Sequence, residues 1–337
     1  MKFNTFGKLS LASVLVSTAL AAHAGISVEN EKGLFTIGGD VEYDLNVVDK
    51  ERKNQDRQDF SQSGRILVQI AAERAVANDH YLKVQVQPLL KSTGDVDLDD
   101  AFFAMGRQAD WEVKIGRFEA FDMFPVGQDT MLDFAKVDVN NNVIEPYRLK
   151  DARGRGDYGQ VSYAKSLDKL YFEVGSLFKE NSGADQNAVF VRPVVAFQAT
   201  DSLRFAAGME ANLTADKADA ENDYLGYGAT IKYAVSDFSL DVSYAYRDFD
   251  TTDQEDSSIG AVIQYKRFGL GHIYSETDTG SKEKMNTTWA SYEIANVMDV
   301  QDFSIYLGSY FSKVDNDNDN DNDDQDVGVR VRFKYFF

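Results

Sequence analysis

Charged side chains recur at alternate positions along the extended, apolar stretches of this chain. Arg330, Arg332 and Lys334 alternate with Val329, Val331, Phe333 and Tyr335. Lys83 lies between Leu82 and Val84, Arg204 between Leu203 and Phe205, and Arg247 follows Tyr246. Arg65, Lys114 and Lys232 occupy comparable places, as do the acids Asp40, Glu42, Asp44, Glu73, Glu210 and Asp241. Successive side chains of a strand point to opposite faces, so the charges line one face and the aliphatic and aromatic residues the other. A face of fixed charges without a nucleophile acts through its field: it steers ions, orients dipolar solutes and sorts them by sign. Cations outnumber acids on these strands, so that face is somewhat basic.

Other chemistry is thinly provided for. The 337 residues include no cysteine, which removes disulfides and thiolate metal sites. Beyond residue 24 the histidines are His80, at a turn, and His272, on a distant strand, so a Ser/His hydrolase is unsupported. The run Asp315–Asp324 sets calcium-type oxygen ligands at alternate positions. It lacks the glycine and the closing glutamate of an EF-hand loop and is expected to be a solvated acidic loop. Neither a metal nor a cofactor is expected. A formal charge of -20 argues against nucleic acid as a partner.

The strands that must carry these charges are legible as period-two alternation. Phe35, Ile37, Val41, Tyr43 and Leu45 oppose Asp40, Glu42 and Asp44; Ile66, Val68 and Ile70 oppose Arg65, Gln69 and Glu73; Phe238, Leu240, Val242, Tyr244 and Tyr246 oppose Ser239, Asp241, Ser243 and Arg247. The last stretch, Val327–Phe337, grows aromatic toward a terminal phenylalanine, which suits a strand with lipid on one side, water on the other and an aromatic girdle at the boundary. Aromatic residues at strand ends are read as that girdle rather than as sugar-stacking platforms. Acidic runs at 49–59, 93–100, 180–185, 216–223, 248–256 and 315–326 alternate with very short connections at 77–79, 108–110, 200–202, 235–237 and 266–267. Long and short in turn is the rhythm of an up-and-down barrel. The fold class is therefore all-β: a transmembrane up-and-down antiparallel β-barrel of about 16 strands. Alternation is thin over 158–178 and 268–294, which leaves fourteen and eighteen as alternatives. A barrel of this size encloses an aqueous channel.

One connection, about 119–157, breaks the rhythm. A loop this long inside a compact domain is functional or disordered. Its apolar residues Phe121, Met123, Phe124, Met131, Leu132 and Phe134 would be buried if it folded into the lumen. At the other end, Lys2 and Lys8 precede an uncharged stretch and Ala22-His23-Ala24. Residues 1–24 are expected to be a cleaved signal peptide, with the barrel domain at 25–337.

Several segments resemble the trimeric general porins of Gram-negative outer membranes. Gly25–Leu34 is similar to the family's short N-terminal segment, and Ser63-Gly64-Arg65 to its second strand. Ile115-Gly116-Arg117 resembles the strand feeding its constriction loop, Met123–Thr130 the loop tip, and Gly154–Tyr163 the strand that follows. The tip carries Val126 where the family has glutamate, and the loop is longer. The resemblance implies a homotrimer in the bacterial outer membrane, reached by export to the periplasm. Its partners would be outer-membrane lipid, lipopolysaccharide, the barrel-assembly machinery that recognises Phe337, and small hydrophilic solutes. It also implies an eyelet with Arg65, Arg117 and Arg155 on the wall facing Asp122, Asp129 and Asp133 on the loop. Strict alternation from Trp111 points Arg117 outward unless a bulge intervenes. Lys83, Lys114, Arg148, Lys150, Arg153, Arg204, Lys232, Arg247, Arg330, Arg332 and Lys334 would line the pore.

The reading is a non-enzymatic porin for passive diffusion of small hydrophilic solutes. A channel selective for anionic solutes, such as phosphorylated or acidic sugars, and a closed structural or adhesive barrel are the alternatives.

Overall fold

The computed structural model describes residues 25–51, 56–124, 131, 134–135, 159–180, 187–214, 223–250, 252–316 and 324–337. The seventeen strands described are β1 Ile26–Asn30, β2 Gly33–Glu51, β3 Arg57–Val76, β4 His80–Lys91, β5 Val96–Arg107, β6 Trp111–Arg117, β7 Gly159–Leu167, β8 Leu170–Glu180 and β9 Asn187–Thr200. They continue as β10 Leu203–Asn212, β11 Tyr224–Val235, β12 Phe238–Phe249, β13 Gln254–Tyr265, β14 Phe268–Asp278, β15 Lys282–Ile294, β16 Phe303–Asn316 and β17 Asp324–Phe336. Each strand from β2 to β17 pairs antiparallel with the next, and β17 returns to pair with β2, so sixteen strands close a barrel. The short β1 is extra. It pairs with Gly33–Ile37 of β2, below the stretch Asp40–Glu51 that β17 occupies. The barrel is the one the alternation predicts.

Closure leaves no sheet edge in the wall, which suits a lipid environment where unpaired backbone groups cannot reach water. The exposure pattern is the reverse of a soluble sandwich. Val327, Val329, Phe333 and Tyr335 are exposed on the outside of β17, while Gly328 and Arg330 between them are buried toward the lumen. Tyr244 of β12 is 45 % exposed and Asp241 only 2 %. Apolar groups facing out and polar groups facing in is what a bilayer requires of a channel wall.

The short connections are tight turns. Asn78, Asp79, Asp168, Ser236 and Lys266 take positive φ values of 48–62°, a region Asn and Asp tolerate better than most residues. The opposite ends differ from expectation. The acidic runs at 49–59, 93–100 and 248–256 are largely strand: β2 runs to Glu51, β3 starts at Arg57, β5 at Val96, and β12 and β13 meet across residues 250–253. A strand needs about 9–11 residues to cross a membrane. At 19 and 20 residues, β2 and β3 continue well past the bilayer, where both faces meet water and charged side chains cost nothing.

Candidate functional site: the charged lumen and its inserted loop

The lumen-facing charges of β17, β2 and β3 form an interlocked ladder. Arg332 donates twice to Asp44, at 2.7 and 2.9 Å, and lies 3.7 Å from Glu42. Arg330 donates to Asn46 at 2.8 Å and approaches Asp44 at 3.6 Å. Lys334 donates to Glu42 at 2.5 Å. Arg65 donates to the same carboxylate at 2.9 Å and lies 3.4 Å from Asp40. The register explains the ladder: β2 sits between β17 and β3, with Asp44 facing Arg332 and Glu42 facing both Lys334 and Arg65. Charge-assisted pairs of this kind are among the stronger hydrogen bonds.

Other wall cations are likewise accompanied by acids. Lys114 lies 3.2 Å from Glu112, and its ammonium stands 5.1 Å from the ring centroids of both Phe102 and Phe118. The Lys83 ammonium also lies 5.8 Å from the Phe102 ring centroid. Lys232 pairs with Asp241 at 3.2 Å. Arg247 donates to Asp256 at 2.7 and 3.2 Å and stacks over Phe249 and Tyr224. Arg204 lies over the Phe121 ring at 5.5 Å. The lumen is thus less basic than the tally of alternating positions suggests. Acids missing from that tally, including Asp100, Glu112, Glu173 and Asp256, sit in the wall, as does the missed cation Arg192. Asp99 and Asp100 escaped it because they lie in the run 93–100, read as loop, whereas both belong to β5. Asp256 escaped it because it lies in a run read as loop.

Arg117 pairs with Ala101 at the end of β6, two residues after the exposed Ile115, and its Nε donates to the Asp99 carbonyl at 2.9 Å. That register keeps it in the outward series, although Gly116 beside it has φ 128°. Asp122 accepts from the Phe124 N–H at 3.0 Å within the loop. Asp129, Asp133, Arg148, Lys150, Arg153 and Arg155 lie outside the described residues, as do residues 1–24, Leu132 and most of the Asp-rich run 315–324.

The described part of the long loop lies inside the barrel. Phe121 packs with Met123, Val194, Ala196 and Ala206. The Met123 carbonyl accepts from Ser243 Oγ at 2.8 Å and from Thr230 Oγ1. Phe124, Met131 and Ala135 are buried with Val48, Val262, Ile273, Trp289 and Tyr310. Phe134 meets Tyr310 edge-on at 5.1 Å, and the Arg330 guanidinium lies 4.2 Å from its ring centroid. The described loop residues therefore lie along the inner wall from β8 round to β17, with Phe134 against Arg330 of the charged ladder. It lines one side of the lumen while Arg65, Lys83 and Lys114 line the other.

Gly308 provides the space for Met131, because a Cβ at that position would lie only 2.0 Å from the methionine sulfur. Gly308→Leu is expected to displace the loop and raise open-channel noise in bilayer recordings. The barrel's heat-modifiable mobility on gels should be unchanged, since β16 keeps its backbone pairing.

A closed antiparallel barrel with an apolar exterior, a charged lumen and a loop folded inside it is an outer-membrane porin. It forms a water-filled channel for passive diffusion and does no chemistry on what passes. The model of the family described as porin-like glycoporin RafY matches residues 37–337, and the chain belongs to that family. Among solved structures, OmpF of Salmonella typhi in complex with daunomycin matches with a TM-score of 0.68 at 12% identity, over 93% of this chain and 100% of that one. The trimer form of OmpT, an outer membrane protein of Vibrio cholerae, gives 0.58 at 14% identity over 90% and 99%. A mutant Rhodopseudomonas blastica porin gives 0.56 at 13% over 89% and 100%. At these identities the likeness is one of fold. A comparison with curated proteins gave no match.

Proposed function

We propose that the channel sorts solutes by size and only weakly by charge, passing neutral hydrophilic molecules such as sugars together with ions of both signs. The observation that carries this reading is the ladder: Arg65, Arg330, Arg332 and Lys334 each lie within 4 Å of a carboxylate on β2. Paired charges make a local transverse field but little net potential along the axis. The family description's word glycoporin supports neutral sugars as cargo. Arg65 faces the loop-lined side from the wall of the constriction. Asp122, Asp129 and Asp133 are the proposed acids of the loop, and Arg148, Lys150, Arg153 and Arg155 would add positive charge near it.

The wider setting belongs to the same proposal. Residues 1–24 are removed during export, supported by the Ala22-His23-Ala24 pattern. The mature chain assembles as a homotrimer in outer-membrane lipid and lipopolysaccharide, supported by the resemblance to trimeric porins and by the trimer form of the Vibrio cholerae protein. The barrel-assembly machinery recognises the strand ending in Phe337.

Bilayer recordings across a potassium chloride gradient, paired with liposome swelling in neutral sugars of rising size, test the reading. A small reversal potential and swelling rates that fall with solute size are expected. A strongly anion-selective potential with block by phosphorylated sugars would instead establish the anionic-solute channel. Absence of conductance would leave the closed barrel.

A further inference from the structure

The entry of the loop into the lumen is held by a buried ion pair that the channel's field does not require. The Phe121 N–H donates to Glu173 Oε1 at 2.8 Å, and the Phe121 carbonyl accepts from Arg192 Nη2 at 2.9 Å. Both polar groups of one peptide residue are thus gripped from two adjacent strands, β8 and β9. The two side chains lie 3.8 Å apart, with Arg192 fully buried and Glu173 nearly so. Tyr171 completes the arrangement: its hydroxyl donates to Glu173 Oε2 at 2.7 Å and its ring lies 5.6 Å from that of Phe121. A fully buried guanidinium cannot meet a solute in the lumen. Its environment instead fixes a backbone, and backbone groups buried without partners are unfavourable.

We infer that Glu173 and Arg192 are positioning residues for the constriction: they pin the loop at Phe121 and so set the bore, without touching what passes. This rests on the channel reading above and adds the residues that define its size limit. The consequence extends along the loop, because its next anchor is the Met123 carbonyl on Thr230 and Ser243, followed by the packing of Phe124 and Met131 on Trp289. Release at Phe121 frees the N-terminal root of that series. Removing one member of a buried pair takes away the other's facing counter-charge, so a change at either residue is expected to loosen the grip.

The test uses a reporter already present. The chain has two tryptophans, and Trp289 is 2 % exposed under the loop residues Phe124 and Met131. In a Trp111→Phe background, fluorescence quenching by acrylamide reads whether the loop covers Trp289, independently of conduction. Arg192→Met is expected to raise the quenching constant severalfold, increase open-channel noise and shift the polymer-exclusion limit to larger neutral polyethylene glycols. Glu173→Gln is the gentler variant, keeping an acceptor for the Phe121 N–H while removing the charge. It should move each readout the same way by less. Heat-modifiable mobility reports that the barrel has formed. A folded variant whose Trp289 stays protected and whose exclusion limit is unchanged overturns the inference. A shift in reversal potential without a change in exclusion limit does so too, because the pair would then act through charge alone. If the parent channel does not conduct, the quenching arm still decides the pinning, and the failure belongs to the diffusion reading.

Discussion

Deleting Phe337 is expected to reduce the yield of folded, heat-modifiable barrel severalfold, more than any single loop substitution does. Phe337 ties the seam at its very end: its N–H donates to the Gly39 carbonyl at 3.0 Å and its carbonyl accepts from the Gly39 N–H at 2.9 Å. Those two bonds extend the β17–β2 ladder one residue past Phe336↔Asp40. In a membrane the unmade bonds would leave backbone groups unpaired on β2 near the lipid boundary. The ring matters as well. Gly39 has no side chain, and a Cβ there would meet both the Leu67 carbonyl and the edge of the Phe337 ring, so the terminal aromatic seats over bare backbone. Phe337→Leu, which keeps the chain length and the seam bonds, should recover much of the yield, whereas Phe337→Ser should not. Gly39→Val is the converse experiment and should impair closure with Phe337 intact. Equal yields of heat-modifiable protein from the parent and the deletion would show that neither seam nor signal depends on this residue. The quantity to follow is the folded fraction after export, separated from total expression by immunoblot of unheated and heated samples.

The strands were legible because a two-sided wall imposes its period directly on the residue types. Every residue of β2 from Asp40 to Asn46 that alternation sends inward is buried, and Tyr43 and Leu45 are exposed outside. Two things were hidden, each for a physical reason. The acidic ends of β2, β5, β12 and β16 looked like loops, because charge density records contact with water and says nothing about whether the backbone is still paired. The docking surface of the loop was hidden because it lies where a channel wall should be polar. Val262, Ile273, Trp289 and Tyr310 are on the lumen side. That is also why alternation faded over 268–294: Leu270 faces lipid and Ile273 faces the loop, so both faces are apolar. A strand apolar on both faces within an otherwise alternating barrel is the available signal that something covers its inner side. The Glu173–Arg192 pair gave no such signal, since one inward acid and one inward base on neighbouring strands look like any other wall charges.

The acids of the ladder, rather than its cations, are expected to give the larger change in selectivity. Glu42 serves three cations, accepting from Arg65 and Lys334 and lying 3.7 Å from Arg332, while Asp44 takes both fork bonds of Arg332 and faces Arg330. Replacing both, as Glu42→Ala with Asp44→Ala, leaves four cations on adjoining strands without their principal counter-charges. Guanidinium groups remain charged at any physiological pH, so the wall cannot respond by losing its protons there. The reversal potential in a salt gradient should move strongly toward anion preference, and phosphorylated sugars should begin to block. The shift should be largest at low salt, where the screening length exceeds about 10 Å. Removing one cation, as Arg65→Ala, leaves Glu42 still held by Lys334 and Arg332 and should move the potential only slightly toward cations; adding Arg155→Ala tests the proposed second cation of the eyelet. This asymmetry is specific to a shared-carboxylate ladder. Comparable shifts of opposite sign from the two sets would mean independent pairs, and a wild type already strongly anion-selective would mean that the cations act unpaired. The double acid variant also loses several charge-assisted hydrogen bonds, each worth about 1.5–3 kcal/mol in general. Its barrel should therefore melt earlier on heated gels, while Arg65→Ala melts close to the parent.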